Sequence, residues 1–257
     1  MNDSAQDRPL IQIPEDGTVA VITMDVRGGY RLPRVDNRPW LTIFADDTVR
    51  VIDDSGKVAP IEAKISAEEL QDLLRFAIVE QQFFDFDSQT ALRELYEEQR
   101  KIDIGLSMED NLLTVIRIRT AERDHTGEFY ALDEYATIFP ALKPLANFSA
   151  VEKRLSRLAW EIRAGGKENI AAALKLVNEH LQKTYPNVPA LAFEDFKYIH
   201  DTPDARTMHF ARTLAERQPR ILGERIKKVF RGEPEFSVVV AYLKDGTRKI
   251  TVSNPPQ

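Results

Sequence analysis

The 257-residue chain contains no cysteine. That absence removes disulfides, thiol catalysis, iron–sulfur clusters and cysteine-ligated zinc together. It fits a reducing cytoplasm if Met1 is native, and equally a disulfide-free exported protein whose leader has been removed. Long apolar runs are also missing: nothing approaches the roughly 20 apolar residues that a membrane-spanning helix needs. Residues 1–10 are polar, hold Asp3, Asp7 and Pro9, and have no apolar stretch of the signal-peptide kind. Histidine is scarce, with four in all, and no H-E-x-x-H occurs. There is no G-x-G-x-x-G, no G-x-x-x-x-G-K-[ST] and no G-x-S-x-G, so the common phosphate cradles and the nucleophile elbow are excluded. No cofactor is expected.

What is present is enough for a core. Hydrophobic residues make up 43% of the chain and include 13 Phe, while 30% of residues are charged. The balance is mildly acidic, with a pI near 5.4, which argues against general nucleic-acid binding. Charge is split along the chain. Residues 1–146 hold 28 acids and 16 bases, and residues 147–257 hold 13 acids and 19 bases. A split of this kind points to two units with different surfaces.

The pattern predicts mixed structure in both halves. After a lead-in over 1–16, residues 18–26 alternate as a strand with apolar character on both faces, which suits a central position. Strands at 40–45 and 48–52 flank Asp46-Asp47 as a hairpin, and another strand is expected near 58–65. Ser66 and Glu69 have capping-box spacing, and Leu70, Leu73, Leu74 and Ala77 follow at helical period. A second helix is expected over 88–101, then a hairpin of 112–120 and 128–132. Helices over 148–163 and 167–184 are separated by Gly165-Gly166. Four strands follow at 193–199, 207–214, 236–243 and 248–252, with Asp245-Gly246 as the last turn. Hairpins mixed with helices, without β-α-β alternation, give α+β with antiparallel sheets and packed helices in two units. The expected division is an acidic unit over 17–146, a connecting helix over 147–166, and a basic helix-plus-four-strand unit over 167–253. Trp40, Ile43, Leu70, Leu74, Phe83 and Phe84 are expected in the first core, and Phe196, Phe210, Val240 and Ile250 in the second.

The first unit resembles an uncharacterised bacterial domain family. The resemblance lies in Val21-Ile22-Thr23-Met24-Asp25-Val26-Arg27-Gly28-Gly29, Trp40-Leu41-Thr42-Ile43-Phe44-Ala45-Asp46-Asp47, Ile65-Ser66-Ala67-Glu68-Glu69-Leu70, and Phe83-Phe84-Asp85-Phe86. It covers the first third to half of the chain. Some members carry a cysteine-containing loop after the glycines, whereas Tyr30–Pro39 has none. The family implies no established activity. The second unit is similar in pattern to cystatin-like or PepSY arrangements, an analogy of element order alone.

Each candidate site has a plainer reading beside it. His200 and His209 flank a turn and could approach across a hairpin, but His209 alternates with Met208 and Phe210, so it should face away from the core. Asp85-Phe86-Asp87 could share a cation, yet Asp87 or Ser88 also caps the next helix. Gly28-Gly29 reads as a strand end. Asp25 with His125 would be an acid–base pair only if the fold joined them. Asn147-Phe148-Ser149 is a formal glycosylation sequon whose place before a helix reads as capping. Arg117, Arg119 and Arg123 with His125 form a basic edge, or pair with nearby carboxylates. Finally, Arg217, Arg220, Arg225, Lys227, Lys228 and Arg231 face one acid, Glu224, while Leu222, Ile226 and Val229 fall at helical spacing. This reads as a basic amphipathic helix, either laid on its own sheet or serving as an interaction surface.

These readings favour a soluble, non-catalytic binding or interaction module with a protein partner. Two alternatives stand beside it: a hydrolase using carboxylates of the first unit, and an inhibitor or protease-associated module built on the second.

Overall fold

A computed structural model describes residues 10–28, 38–52, 59–101, 111–201, 205–213 and 235–253. The fold is α+β, with five α-helices and two antiparallel sheets among the described residues. The chain divides into two compact units, Met1–Ser156 and Arg157–Gln257, and the division falls inside a helix. Counted at that division, the first unit holds 29 acids and 18 bases, the second 12 and 17.

The first unit has a six-stranded sheet in the order β4-β3-β2-β1-β5-β6. Its strands are β1 (Ala20–Gly28), β2 (Leu41–Phe44), β3 (Thr48–Val51), β4 (Ile61–Lys64), β5 (Leu112–Arg119) and β6 (Asp124–Tyr130). β1 pairs with both β2 and β5, the interior place its two-sided apolar pattern implies. Register puts Ile22 and Met24 beside Ile43, Leu41, Ile118 and Ile116 on one face, all essentially without exposure. The opposite face of β1 carries Thr23, Asp25 and Arg27, because side chains alternate along a strand. Asp46-Asp47 makes the β2–β3 turn, with Asp47 at φ 64° and the Asp46 carboxylate accepting from Thr48 N at 3.0 Å.

Helix α1 (Ala67–Arg75) starts at the expected capping box. Glu69 N donates to Ser66 Oγ at 3.1 Å, and Ser66 N donates back to the Glu69 carboxylate at 3.0 Å. Leu70, Leu73 and Leu74 are buried. The helix widens into a π-helical turn at Phe76–Glu80, Gln82 adopts a left-handed conformation, and Phe83–Asp85 forms a 3-10 turn. α2 (Ser88–Lys101) follows, then the short α3 (Leu132–Ile138), absent from the expected elements although Leu132, Tyr135 and Ala136 fall at i, i+3, i+4 and are buried. The β5–β6 turn is tighter than its polar composition implies. Thr120 N donates to Arg123 O at 2.7 Å, so β6 begins at Asp124 rather than near 128.

α4 (Lys143–Ala164) begins five residues before the expected start at 148. Pro144 lies in its first turn, where the missing N–H has no helical partner to lose. Asn147 is therefore inside the helix and does not cap it. α4 ends in a Schellman pattern: Gly165 N donates to Ile162 O and Gly166 N to Glu161 O, each at 2.9 Å, with φ +82° at Gly165. Only glycine takes that left-handed turn cheaply.

The second unit joins the end of α4 and α5 (Lys167–Thr184) to a sheet ordered β10-β9-β8-β7. Its strands are β7 (Phe196–Asp201), β8 (Ala205–Thr213), β9 (Glu235–Leu243) and β10 (Arg248–Ser253). Ile170, Ala173, Val177 and Leu181 of α5 share a core with Phe196, Ile199, Met208, Phe210, Phe236, Val238 and Val240. Ile250 packs on its margin.

Candidate functional site

The side chains that gather outside the two cores lie on the second sheet. β7 pairs Phe196 with Phe210, Tyr198 with His209, Ile199 with Met208 and His200 with Thr207, with a bulge between Phe196 and Tyr198. The extra residue lets Phe196 and Ile199 both face the core despite their spacing. It leaves Tyr198, His200, Thr207 and His209 on the opposite, outer face. Tyr198 is 43% exposed, and its ring stacks on His209 at 4.2 Å and 18°.

The protonation of this cluster follows from its hydrogen bonds. Thr207 Oγ1 donates to His200 O at 3.0 Å and sits 3.2 Å from His209 Nε2. A hydroxyl has one proton, so the second contact is satisfied when Nε2 is the donor. That leaves Nδ1 as the ring's acceptor. Burial, and then the charge of His200, hold His209 below the ordinary histidine range and favour this neutral form.

α4 flanks the same strand with three side chains at helical spacing. Arg157 donates to Phe196 O at 3.0 Å and Phe193 O at 2.5 Å, with its guanidinium over the Phe193 ring. Trp160 reaches the Tyr198 ring at 6.3 Å. Arg163 meets Asp201 at 3.2 Å, and Arg206 reaches the same carboxylate at 2.7 Å. Burial pushes the Asp201 carboxyl up, but the bonds from Arg206 and Arg163 outweigh it and leave the pKa lowered. Nearby, Arg212 pairs with Asp195, whose carboxylate also accepts from Ala192 N at 2.7 Å. These long-range pairs have no signature in a single sequence, because each joins residues from different elements.

The other candidates resolve into structural roles. His125 Nε2 lies 2.9 Å from Phe86 O, and the ring meets Phe83 and Phe84 edge-on. It is in register with Ile118 and Ile22, so it occupies the core face, whereas Asp25 lies on the other face; the two are not joined. Asp25 accepts from Arg27 Nε at 2.6 Å and from Val26 N. Asp87 caps α2 through Thr90 N at 2.7 Å, its pKa is lowered by the Thr90 side chain and then by that backbone bond, and Ser88 Oγ donates to Glu128 O. Arg117 holds Asp124 with a two-pronged pair, Nε at 2.7 Å and Nη2 at 2.6 Å, and Arg119 joins it. Arg123 lies over the Phe84 ring and donates to Phe84 O. Gly28, at φ +86°, ends β1. His180 sits half-buried on α5. Among the described residues no three His, Asp or Glu side chains converge as metal ligands. The basic stretch holding Arg217, Arg220, Arg225, Lys227, Lys228 and Arg231 lies outside the described residues.

One group was invisible to the sequence patterns. Glu152, on α4 within the first unit, accepts from Ser156 Oγ at 2.6 Å. Burial raises its pKa, and Asp133 adds to the rise against the opposing effects of Ser156 and Lys153. Ser149, one turn earlier, is buried with its hydroxyl unpartnered. Its signal was the Ser149–Glu152–Ser156 spacing, which an apolar helix pattern hides.

No protein-family model matches the chain, and neither a curated protein nor a solved structure matches it.

Proposed function

We propose that the protein is a non-catalytic binding or interaction module that works through the outer face of its second sheet. The observation that carries this reading is the Tyr198–His209 stack. An aromatic side chain held flat by a neighbour has already lost its rotamer freedom, so it contributes contact area at low entropic cost. His200 and Thr207 add polar groups beside it on the same face. The resemblance of the first unit to an uncharacterised bacterial family adds no activity to this reading.

The test places a photo-crosslinking residue at Tyr198 or His200, and at exposed Lys175 on α5 as a control. Discrete adducts from the first two positions, absent from Lys175, support the reading. Equal labelling at all three positions, or none, overturns it.

A second reading, hydrolysis by carboxylates of the first unit, is favoured by Glu152 alone. A carboxyl whose pKa is raised by burial, near an exposed one such as Asp133, is how acid and base roles are separated. Loss of a hydrolytic activity in Glu152→Gln, with the fold intact, would favour it.

A further inference from the structure

The two edges of the second sheet are treated differently. β7 is flanked by Arg157, Trp160 and Arg163 of α4, through the contacts to Phe196, Tyr198 and Asp201. β10 pairs with β9, and no other described strand joins it. An edge strand keeps half of its backbone donors and acceptors directed away from its neighbour.

The register says which ones. Gly246 N donates to Leu243 O and Leu243 N to Thr247 O, each at 3.0 Å, with φ +83° at Gly246. This is a type I turn with a glycine bulge, and it makes Leu243–Thr247 a hydrogen-bonded pair. Such pairs alternate along an antiparallel ladder. Lys249, Thr251 and Ser253 therefore bond inward to β9, and the N–H and C=O groups of Arg248, Ile250 and Val252 point outward.

The side chains along this edge have a definite chemistry. Ile250 and Val252 are half-buried on the core face, at the margin of the apolar cluster, and Tyr242 is beside them. Lys244, Arg248 and Lys249 are exposed. Asp245, the acid of the turn, is engaged by Thr247 N and Oγ1 at 2.8 and 2.6 Å.

We infer that the β10 edge is a strand-addition site for an extended acidic segment of another protein, in which acidic and apolar residues alternate. This rests on the reading of the protein as a binding module and adds a second surface to it. The incoming backbone pairs with Arg248, Ile250 and Val252. Its apolar side chains extend the core face beside Ile250 and Val252, and its carboxylates lie opposite Lys249 on the other face. A second copy of this chain is a poorer occupant, because it brings the same basic edge against itself.

The test uses a fluorescein-labelled heptapeptide of alternating glutamate and valine, with a lysine–valine peptide as control, read by anisotropy. The acidic peptide should bind and the basic one should not, and added salt should weaken binding. Ile250→Pro removes an outward N–H without removing a ladder bond, so it should abolish binding and keep the circular dichroism spectrum. Should that variant unfold, the exposed double change Arg248→Glu with Lys249→Glu should weaken binding at least about tenfold. Equal binding of both peptides, or binding that survives Ile250→Pro in a folded protein, overturns the inference. So does slow amide exchange of Ile250 and Val252 in the free protein, or a concentration-dependent dimer that Ile250→Pro dissolves. Crosslinks from Tyr198 that persist in Ile250→Pro would keep the binding-module reading while this site falls.

Discussion

Arg163 and Asp201 meet at 3.2 Å with side chains only 6% and 9% exposed, tying the last turn of α4 to the end of β7. Arg206, 41% exposed, completes the neutralisation of the carboxylate at 2.7 Å. Removing one partner of a buried pair leaves the other uncompensated, and that costs about 3–5 kcal/mol. Asp201→Ala should therefore lower the free energy of urea unfolding by that amount. The double change Arg163→Met with Asp201→Leu should recover most of it, since Arg206 can return to water. A loss below about 1 kcal/mol for Asp201→Ala would show that the pair is not buried in solution.

Gly127 is set by packing, not by backbone freedom. A Cβ there would lie 2.9 Å from Phe86 Cδ1 and 3.0 Å from Phe148 Cε2. Those rings stack on each other at 4.3 Å and 10°, so neither can yield without disturbing the other. Gly127→Ala should cost about 1–3 kcal/mol in chemical denaturation, the usual range for overpacking. A neutral result would mean that β6 shifts to accommodate the methyl group.

The difference between these two sites explains what was legible in the sequence. Local signals were read directly. Ser66 and Glu69 reach each other across three residues, Asp245-Gly246 closes its own turn, and Gly165-Gly166 ends its own helix. The expected core residues Trp40, Ile43, Leu70, Leu74, Phe83, Phe84, Phe196, Phe210 and Val240 are all buried; helical period marks Leu70 and Leu74, and the aromatic run itself marks Phe83 and Phe84. The outward placement of His209 followed from its alternation with Met208 and Phe210. The bulge that sets Tyr198 against His209 depends on β7–β8 register, which no window of residues contains. Arg163 and Arg212 could not be told from solvated arginines, since their carboxylate partners lie in other elements, and the local Arg157–Glu161 pair gives no hint of the Phe193 and Phe196 carbonyls that Arg157 also reaches.

The β5–β6 hairpin should be acid-sensitive. The hydrogen bonds from Arg117, with Arg119 beside it, hold the Asp124 carboxyl down to about 2. A lowered native pKa gives stability that is present above the ordinary aspartate value and is lost as pH falls toward the native one. The loss should lie between about pH 4 and pH 2 and shrink in salt, because the pair is partly exposed. Asp124→Asn should flatten the dependence of melting temperature on pH in that window. An unchanged slope would show that the pair forms equally in the unfolded chain.

Glu152 should give the opposite sign. Its native pKa lies above the ordinary glutamate value, chiefly through burial and then through Asp133. The folded chain thus holds this proton more tightly than the unfolded chain does. Its contribution to stability is full below the unfolded value, falls as pH rises from there through the raised native value, and is level above it. Glu152→Gln keeps an acceptor for Ser156 Oγ and removes the buried charge, so it should raise the melting temperature at neutral pH and erase this part of the slope. Asp133→Asn should shrink the shift. Ser156→Ala and Lys153→Met should enlarge it, because each removes a group that favours the carboxylate. Carbon-detected titration of the Glu152 carboxyl reads all four variants against the parent. A parent value in the ordinary range, or a Glu152→Gln protein less stable at neutral pH, would show that water reaches the carboxylate. The acid–base reading of the first unit would then lose the observation that favours it.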